Sequence, residues 1–407
     1  MFDAPARCFS NSLVPPIVMG PAALVTAAMH GSGIAELCAL IEAHDADPVA
    51  RLFDTAILTL IGQRRADALA LQQAAIAASP LVRVRRDVED EKPIRLLALV
   101  SPGDLMANTP LDFITSSLNV RLDLLFLVPG QDLPGILPDH DIMFFAASEP
   151  DGPTLSRMRG LFDAWPRPVL NDPGLLPSLA RDRLARLLAD MPGVCSPKTI
   201  EARRFQLVAA VDGGTAVAGM AFPILIRPHG SHAGDGLEKI DDIAALSIYL
   251  QGSGAALYYV TEFMEYRAGD GLYRKYRIAF IDGKPHLCHL AVSSNWMVHY
   301  LNAGMTEDAA KREDEADAMV HFDTGFGARH EAAFQRLHEV LPFDYYSIDC
   351  SELPDGRLLI FEADTAAIIH NMDCADMFAY KHTQMRRVFD AFGDMLGSRI
   401  GRGLARR

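Results

Sequence analysis

Apolar positions along the chain change their rhythm twice. From about Pro21 to Pro80 the chain is rich in Ala and Leu at helical spacing, and the stretch from Gly62 to Pro80 sets Ala68, Leu71, Ala75 and Ala78 on one face. A small helical region is predicted over residues 1–90. Arg83 to Lys92 reads as a charged link, after which Ile94–Val100 is a strand-sized run that is apolar apart from Arg95. The residues SPGDLMANTP then turn and open a helix near Leu111, and Leu122–Val128, Asp141–Ala147 and Pro168–Leu170 repeat the strand signal between Pro and Gly breaks. Strand, turn and helix in that order predict an α/β domain with a small parallel sheet over 91–172. Asp172 to Pro197 is amphipathic at helical spacing and stops at Pro192–Gly193.

From residue 173 to 395 the pattern becomes mixed α+β. Phe222–Arg227, Leu257–Glu262, Tyr276–Asp282, Pro285–Val292 and Leu358–Glu362 have strand character. Ile240–Leu250, Thr306–Val320, Gly327–Val340 and Met385–Leu396 have helical spacing. Residues 396–407 read as a flexible basic tail.

The length of 407 residues suits two or three domains. With 38 Lys plus Arg against 52 Asp plus Glu, the formal charge of -14 repels polyanions, so no nucleic acid is expected as partner. No apolar run approaches a membrane span, and with Asp3 ahead of Arg7 the start does not read as a secretory signal. Six cysteines without paired spacing fit free thiols in a reducing compartment, and the expectation is a cytoplasmic protein.

Three segments carry the candidate chemistry. In FPILIRPHGSHAGDGL an apolar strand delivers Arg227 into a loop with Gly230, Ser231, Gly234 and Gly236. Such a loop lets backbone N–H groups approach phosphate oxygens beside a fixed cation, and it also serves as a plain turn with His232 on its surface. In YYSIDCSELPDGRLLIFEADTA, Glu362 and Asp364 are two apart on one strand and share a face, and Asp349 can join them across the turn at Asp355–Gly356. Three carboxylates embedded in apolar runs call for a divalent cation, with magnesium the suitable one for nucleotide phosphates. An exposed acidic hairpin is the plain alternative. The third segment, YYVTEFM, is a strand able to sandwich a flat base, or simply a buried strand with Glu262 at its edge.

In this order, together with the cationic strand RKYRIAFIDGK, these segments resemble the ATP-grasp ligases over roughly residues 91–395. Asn171, Pro223, Pro228, Glu262, Phe263, Met264, Arg277, Gly283, Asp349 and Glu362 stand at the places of that family's motifs. Arg183 takes the place of a helix Lys, Arg227 that of the Lys before the second Pro, and Asp364 that of an Asn. The resemblance implies a pre-ATP-grasp domain followed by two subdomains that clasp ATP. It implies Arg183, Arg227, the Gly loop and Glu262–Met264 on the nucleotide, and Asp349, Glu362 and Asp364 on magnesium.

Arg277 and Asn302 would be catalytic contacts, and the polar stretch with Ser293, Asn295 and His299 would face the acceptor. The implied reaction activates a carboxylate of a small molecule or peptide as an acylphosphate and passes it to an amine, giving an amide or peptide bond. A small-molecule kinase with the same nucleotide clasp and a non-catalytic nucleotide-binding scaffold are the alternatives. The N-terminal helices, with their Gly and small-residue punctuation and terminal Pro, are similar to a tetratricopeptide helix pair. They are expected either to bind a partner or second copy or to pack on the body.

Overall fold

The computed structural model describes residues 8–44, 47–86, 92–231 and 234–401. The chain opens with two short strands, β1 (Cys8–Ser10) and β2 (Ile17–Val18). Four helices follow, α1 (Pro21–Met29), α2 (Ile34–His44), α3 (Pro48–Ile61) and α4 (Arg65–Ala78), then β3 (Leu81–Val84). The helices enclose a small core of their own around Leu24, Leu37, Ile41 and Leu58. Asp54, fully buried on α3, accepts from the backbone N–H of Met19 at 2.6 Å and of Gly20 at 3.0 Å, and so ties that unit to β2.

Next come β4 (Ile94–Val100), α5 (Leu111–Thr115), β5 (Val120–Phe126), β6 (Ile136–Pro138), β7 (Ile142–Phe145), α6 (Gly152–Ala164) and β8 (Val169–Leu170). Six strands form one sheet in the order β2-β3-β5-β4-β7-β8. All its pairings are parallel except β3 against β5. The near-continuous apolar run of β4 is buried on both faces, as central parallel strands require. Arg83 and Val84 belong to β3 rather than to a charged link, because Arg83 pairs with buried Asp123 at 2.6 Å while Leu81 and Val82 face the core. Half of that expected link, residues 87–91, lies outside the described residues.

A 3-10 turn at Pro173–Leu179 leads to α7 (Arg181–Leu188), β9 (Val194–Cys195), β10 (Thr199–Arg203) and α8 (Arg204–Gly213). After them run β11 (Ile224–Pro228), β12 (Glu238–Ile240), α9 (Ile243–Gly252) and β13 (Leu257–Glu262). Strands β10-β13-β11-β12 form an antiparallel sheet with a separate core that includes Leu207, Ile226, Leu246 and Val260.

The rest of the chain supplies β14 (Tyr273–Ile281), β15 (Lys284–Ser293), α10 (Ala309–Val320), α11 (Phe326–Arg329) and α12 (Glu331–Val340). It closes with β16 (Tyr345–Glu352), β17 (Leu358–Asp364) and α13 (Ala375–Arg399). The third sheet is ordered β15-β14-β16-β17-β9. Its core is continuous with that of the parallel sheet, Phe144 meeting Tyr345 at 6.4 Å between ring centroids. Asn171 locks the two bodies by exchanging hydrogen bonds with the Tyr345 backbone, 2.8 Å in each direction. Residues Leu396–Arg399, expected in a flexible tail, are the last turn of α13. Arg399 there binds Asp282 and Asp344, each at 2.8 Å. Among the described residues no helix is long and apolar enough to cross a membrane.

Candidate active site

Side chains from the antiparallel sheet, from α7 and from the third sheet converge electrostatically on one place. Strand alternation sets Lys275 and Arg277 on one face of β14, and the antiparallel register places Arg277 opposite Asp349 and Asp349 opposite Glu362. Asp349 is 3% exposed and gives both carboxylate oxygens to this pair of cations. Arg277 Nε and Nη2 donate to Oδ1 and Oδ2 at 2.8 and 3.0 Å, and Lys275 Nζ donates to Oδ2 at 2.9 Å. Burial works against ionisation of this carboxyl, but the two cations win and hold Asp349 well below the usual carboxylate range.

A second ion pair lies beside the first. Arg181, the first residue of α7, donates to Glu362 Oε2. Burial opposes ionisation of Glu362 too, and Arg181 reverses the balance and lowers its pKa. Asp364 differs. Its Oδ1 accepts from the N–H groups of Ala366 and Ala367 at 2.8 and 2.6 Å, yet burial and then the charge of Glu362 push its pKa up to about 6.

Arg227 approaches from the antiparallel sheet. It is 8% exposed on β11, and its Nε donates to Ser231 Oγ at 3.0 Å and its Nη2 to the Ser231 carbonyl. No carboxylate among the described residues lies within ion-pair distance of it. Burial, then the nearby charge of Arg181, pulls its pKa down to about 10. The Gly loop folds back on the end of β11: at Gly236, with φ of +63°, a Cβ would come within 2.8 Å of Pro228 Cδ. Gly230 and Gly234 also hold positive φ, and Gly234 lies against Met297 of the loop that follows β15. His232 lies outside the described residues.

Glu262, Phe263 and Met264 leave the end of β13 as expected, with the Glu262 N–H on Lys198 O at 3.0 Å. The Phe263 ring meets Trp296 edge-on at 5.8 Å and carries Lys239 Nζ at 4.2 Å from its centroid, and Met264, Trp296, Tyr300 and Phe361 all pack on the cluster that includes Tyr266, Tyr273 and Leu359. Together these groups make an apolar, cation-edged wall.

Several expected residues stand elsewhere. Arg183 is exposed, because two residues along a helix turn the side chain about 200°; the cation that α7 presents to Glu362 is Arg181. Asn302 is exposed and closes its own turn, Oδ1 accepting from His299 N–H at 3.0 Å. Ser293 is buried with Oγ accepting from Asn295 N–H at 3.1 Å, and the Asn295 side chain is exposed. His299 is the member of that stretch that senses the site: burial, then the charges of Lys275 and Arg277, lower its pKa. Sequence reasoning passed over Arg181 and Lys275. Lys275 was legible from its two-residue offset from Arg277, whereas Arg181 needed the rotation of α7 about its axis.

The three carboxylates are not gathered as one ligand cage, and among the described residues no group of three or more His, Cys, Asp or Glu is arranged to hold a metal. Asp349 has its oxygens filled by Lys275 and Arg277. Glu362 and Asp364 supply hard oxygen donors of the kind that suit a divalent cation, Glu362 sharing its Oε2 with Arg181, while burial, then the Glu362 charge, raises the Asp364 pKa.

The chain matches no protein-family model and no curated protein. Among solved structures it is similar to a D-alanine–D-alanine ligase from Bacillus anthracis complexed with ATP, at 13% identity and TM-score 0.46 over 76% of this chain and 100% of that one. A RimK domain ATP-grasp protein from Sphaerobacter thermophilus gives 17% and 0.42, over 75% and 99%. The D-alanyl-alanine synthetase A of Vibrio cholerae gives 9% and 0.46, over 77% and 100%. Likenesses this shallow carry no argument, and fold and chemistry alike stand on the chain's own sheets and side chains.

Proposed function

We propose that the chain is an ATP- and magnesium-dependent ligase of the ATP-grasp kind, which joins a carboxylate to an amine through an acylphosphate. The observation that carries this reading is Arg227, buried at the end of β11 with its hydrogen bonds on Ser231 of its own loop and no carboxylate among the described residues within ion-pair distance. Burial, then the charge of Arg181, disfavours its cationic form, and a phosphate beside it supplies the missing counter-charge. Phosphate oxygens suit the site because Arg227 is bonded to Ser231 at the start of the Gly loop, and Phe263 and Trp296, meeting edge-on, suit a flat base.

Each group then has a task. Arg227 and Arg181 neutralise the phosphates, and Arg277, oriented by Asp349, is the cation on the transferring group. Glu362 and Asp364 would hold magnesium, which supplies charge neutralisation on the phosphate oxygens when bound. The loop that follows β15 forms the acceptor side, with His299 its member whose pKa the charges of Lys275 and Arg277 lower after burial. No side chain acts as a covalent nucleophile, so catalysis is positioning and charge stabilisation.

The test is product analysis. A ligase releases ADP and phosphate only when both a carboxylate and an amine are supplied, whereas phosphate release with neither, or a stable phosphorylated product, overturns the assignment.

A further inference from the structure

A buried polar post stands behind the acceptor side of the cleft. Lys381 of α13 is 2% exposed, and its Nζ donates to the Tyr300 hydroxyl at 2.9 Å. The same ammonium lies 2.7 Å from Asp373 Oδ2, 3.6 Å from Glu315 Oε1 and 4.4 Å from the Tyr300 ring centroid. Glu315, fully buried on α10, accepts from Leu290 N–H at 3.0 Å, from the Tyr300 hydroxyl at 3.0 Å and from the Tyr380 hydroxyl at 2.7 Å. A buried ammonium is strongly disfavoured without such partners, so the groups it binds are held in one arrangement.

Two separate segments end on this ammonium. Tyr300 opens the turn Tyr300–Asn302 in the loop after β15, the loop whose Trp296 meets Phe263 and whose Met297 lies against Gly234. Asp373 closes the segment that leaves β17 directly after Asp364. That second segment is gripped at two further points. Thr365 Oγ1 bonds Ser148 Oγ of the parallel-sheet body at 3.0 Å, and His30, following α1, places Nε2 3.0 Å from the Met372 carbonyl.

We propose that Lys381 is a positioning residue that fixes two walls, the loop 294–305 that meets Phe263 and the segment 366–374 that follows Asp364, to each other. The word acceptor in this inference rests on the ligase reading, but the coupling of the two walls does not. Removing the ammonium frees both walls, whereas removing one of its partners frees only the wall that partner belongs to.

Hydrogen exchange on the full chain without ligand reads this pattern. Lys381→Met should speed exchange about ten-fold or more in both 294–305 and 366–374, Tyr300→Phe in the first only, and Asp373→Asn in the second only. Acrylamide quenching adds an independent signal. Of the two tryptophans Trp165 is 8% exposed, so the extra quenching expected in Lys381→Met and Tyr300→Phe, and absent in Asp373→Asn, reports on Trp296. Calorimetry with the magnesium complex of AMP-PNP should give weaker binding in Lys381→Met and Tyr300→Phe, which loosen the loop that carries Trp296, and an affinity within about two-fold of the parent in Asp373→Asn.

Loosening of one wall alone in Lys381→Met, or equal loosening of β14 and β16, overturns the proposal. Should Lys381→Met not fold, the two partner variants decide: the same segments moving in both, or none in either, overturns it. Failure of AMP-PNP to bind the parent protein sinks the ATP reading and leaves the exchange pattern as the test of the coupling.

Discussion

Removing the guanidinium of Arg227 perturbs the nucleotide half of the site with the least collateral damage, because its hydrogen bonds run to Ser231 in its own loop. Burial and the charge of Arg181 pull its pKa down to about 10, which corresponds to roughly 3 kcal/mol against the charged form at this position. A phosphate group beside Arg227 returns much of that energy, and a charge-assisted hydrogen bond contributes about 1.5–3 kcal/mol. Arg227→Ala should therefore weaken binding of magnesium–AMP-PNP by about 10- to 150-fold in calorimetry at low salt. Arg227→Lys keeps the charge but not the fork, and should fall between the two. The loss should shrink as salt rises, since screening weakens the attraction in the parent protein. An unchanged affinity in Arg227→Ala would refute the reasoning and leave residues 230–236 a plain turn. An equal loss in the Ala and Lys variants would show that shape, not charge, matters there.

On α7, Arg181→Ala should cost AMP-PNP about ten-fold in affinity, while Arg183→Ala should change it less than two-fold in the same calorimeter. Glu362→Gln should abolish ATP turnover in a phosphate-release assay with the circular dichroism spectrum unaltered; full turnover would remove Glu362 from the site. Because the Asp364 pKa is raised to about 6, proton and metal compete there, so the stabilisation given by magnesium alone in a thermal-shift assay should grow from pH 5 to 7.5 and lose that slope in Asp364→Asn. Asp112 is likewise pushed up to about 6 by burial while accepting from Ala22 N–H at 2.6 Å. A raised carboxyl value means its favourable contribution is complete below the unfolded value and is lost as pH rises through 6, by roughly 3 kcal/mol. Asp112→Asn should thus raise the melting temperature at pH 8 and leave it unchanged near pH 4.

Strands with a mostly apolar run were legible from pattern alone. Ile94–Val100 and Leu257–Glu262 form with the bounds that the residues suggest, because burial on both faces leaves a signal that needs no partner. Short elements whose strand character depends on a partner were not. Leu81–Val84 alternates with arginines, and its strand character comes from pairing with β5 and from Asp123, information that sits 40 residues away. The same holds in the site. The two-residue period put Glu362 with Asp364 and would have put Lys275 with Arg277, but the partners of those charges are set by register across β14, β16 and β17. A local reading therefore saw three carboxylates in need of a metal, where the folded chain supplies one of them with Lys275 and Arg277 and another with Arg181.

The central claim is that a carboxylate oxygen attacks the terminal phosphate of ATP. Transfer of isotope reads that bond directly: the full-length protein is incubated with ATP, magnesium and a panel of amino acids and short peptides carrying oxygen-18 in their carboxylates, and the released phosphate is weighed by mass spectrometry. An acylphosphate route puts one labelled oxygen into inorganic phosphate and leaves ADP, and phosphate appears only when an amine accompanies the acid. Unlabelled phosphate, label recovered in AMP, or label retained in a stable phosphorylated product would contradict the account.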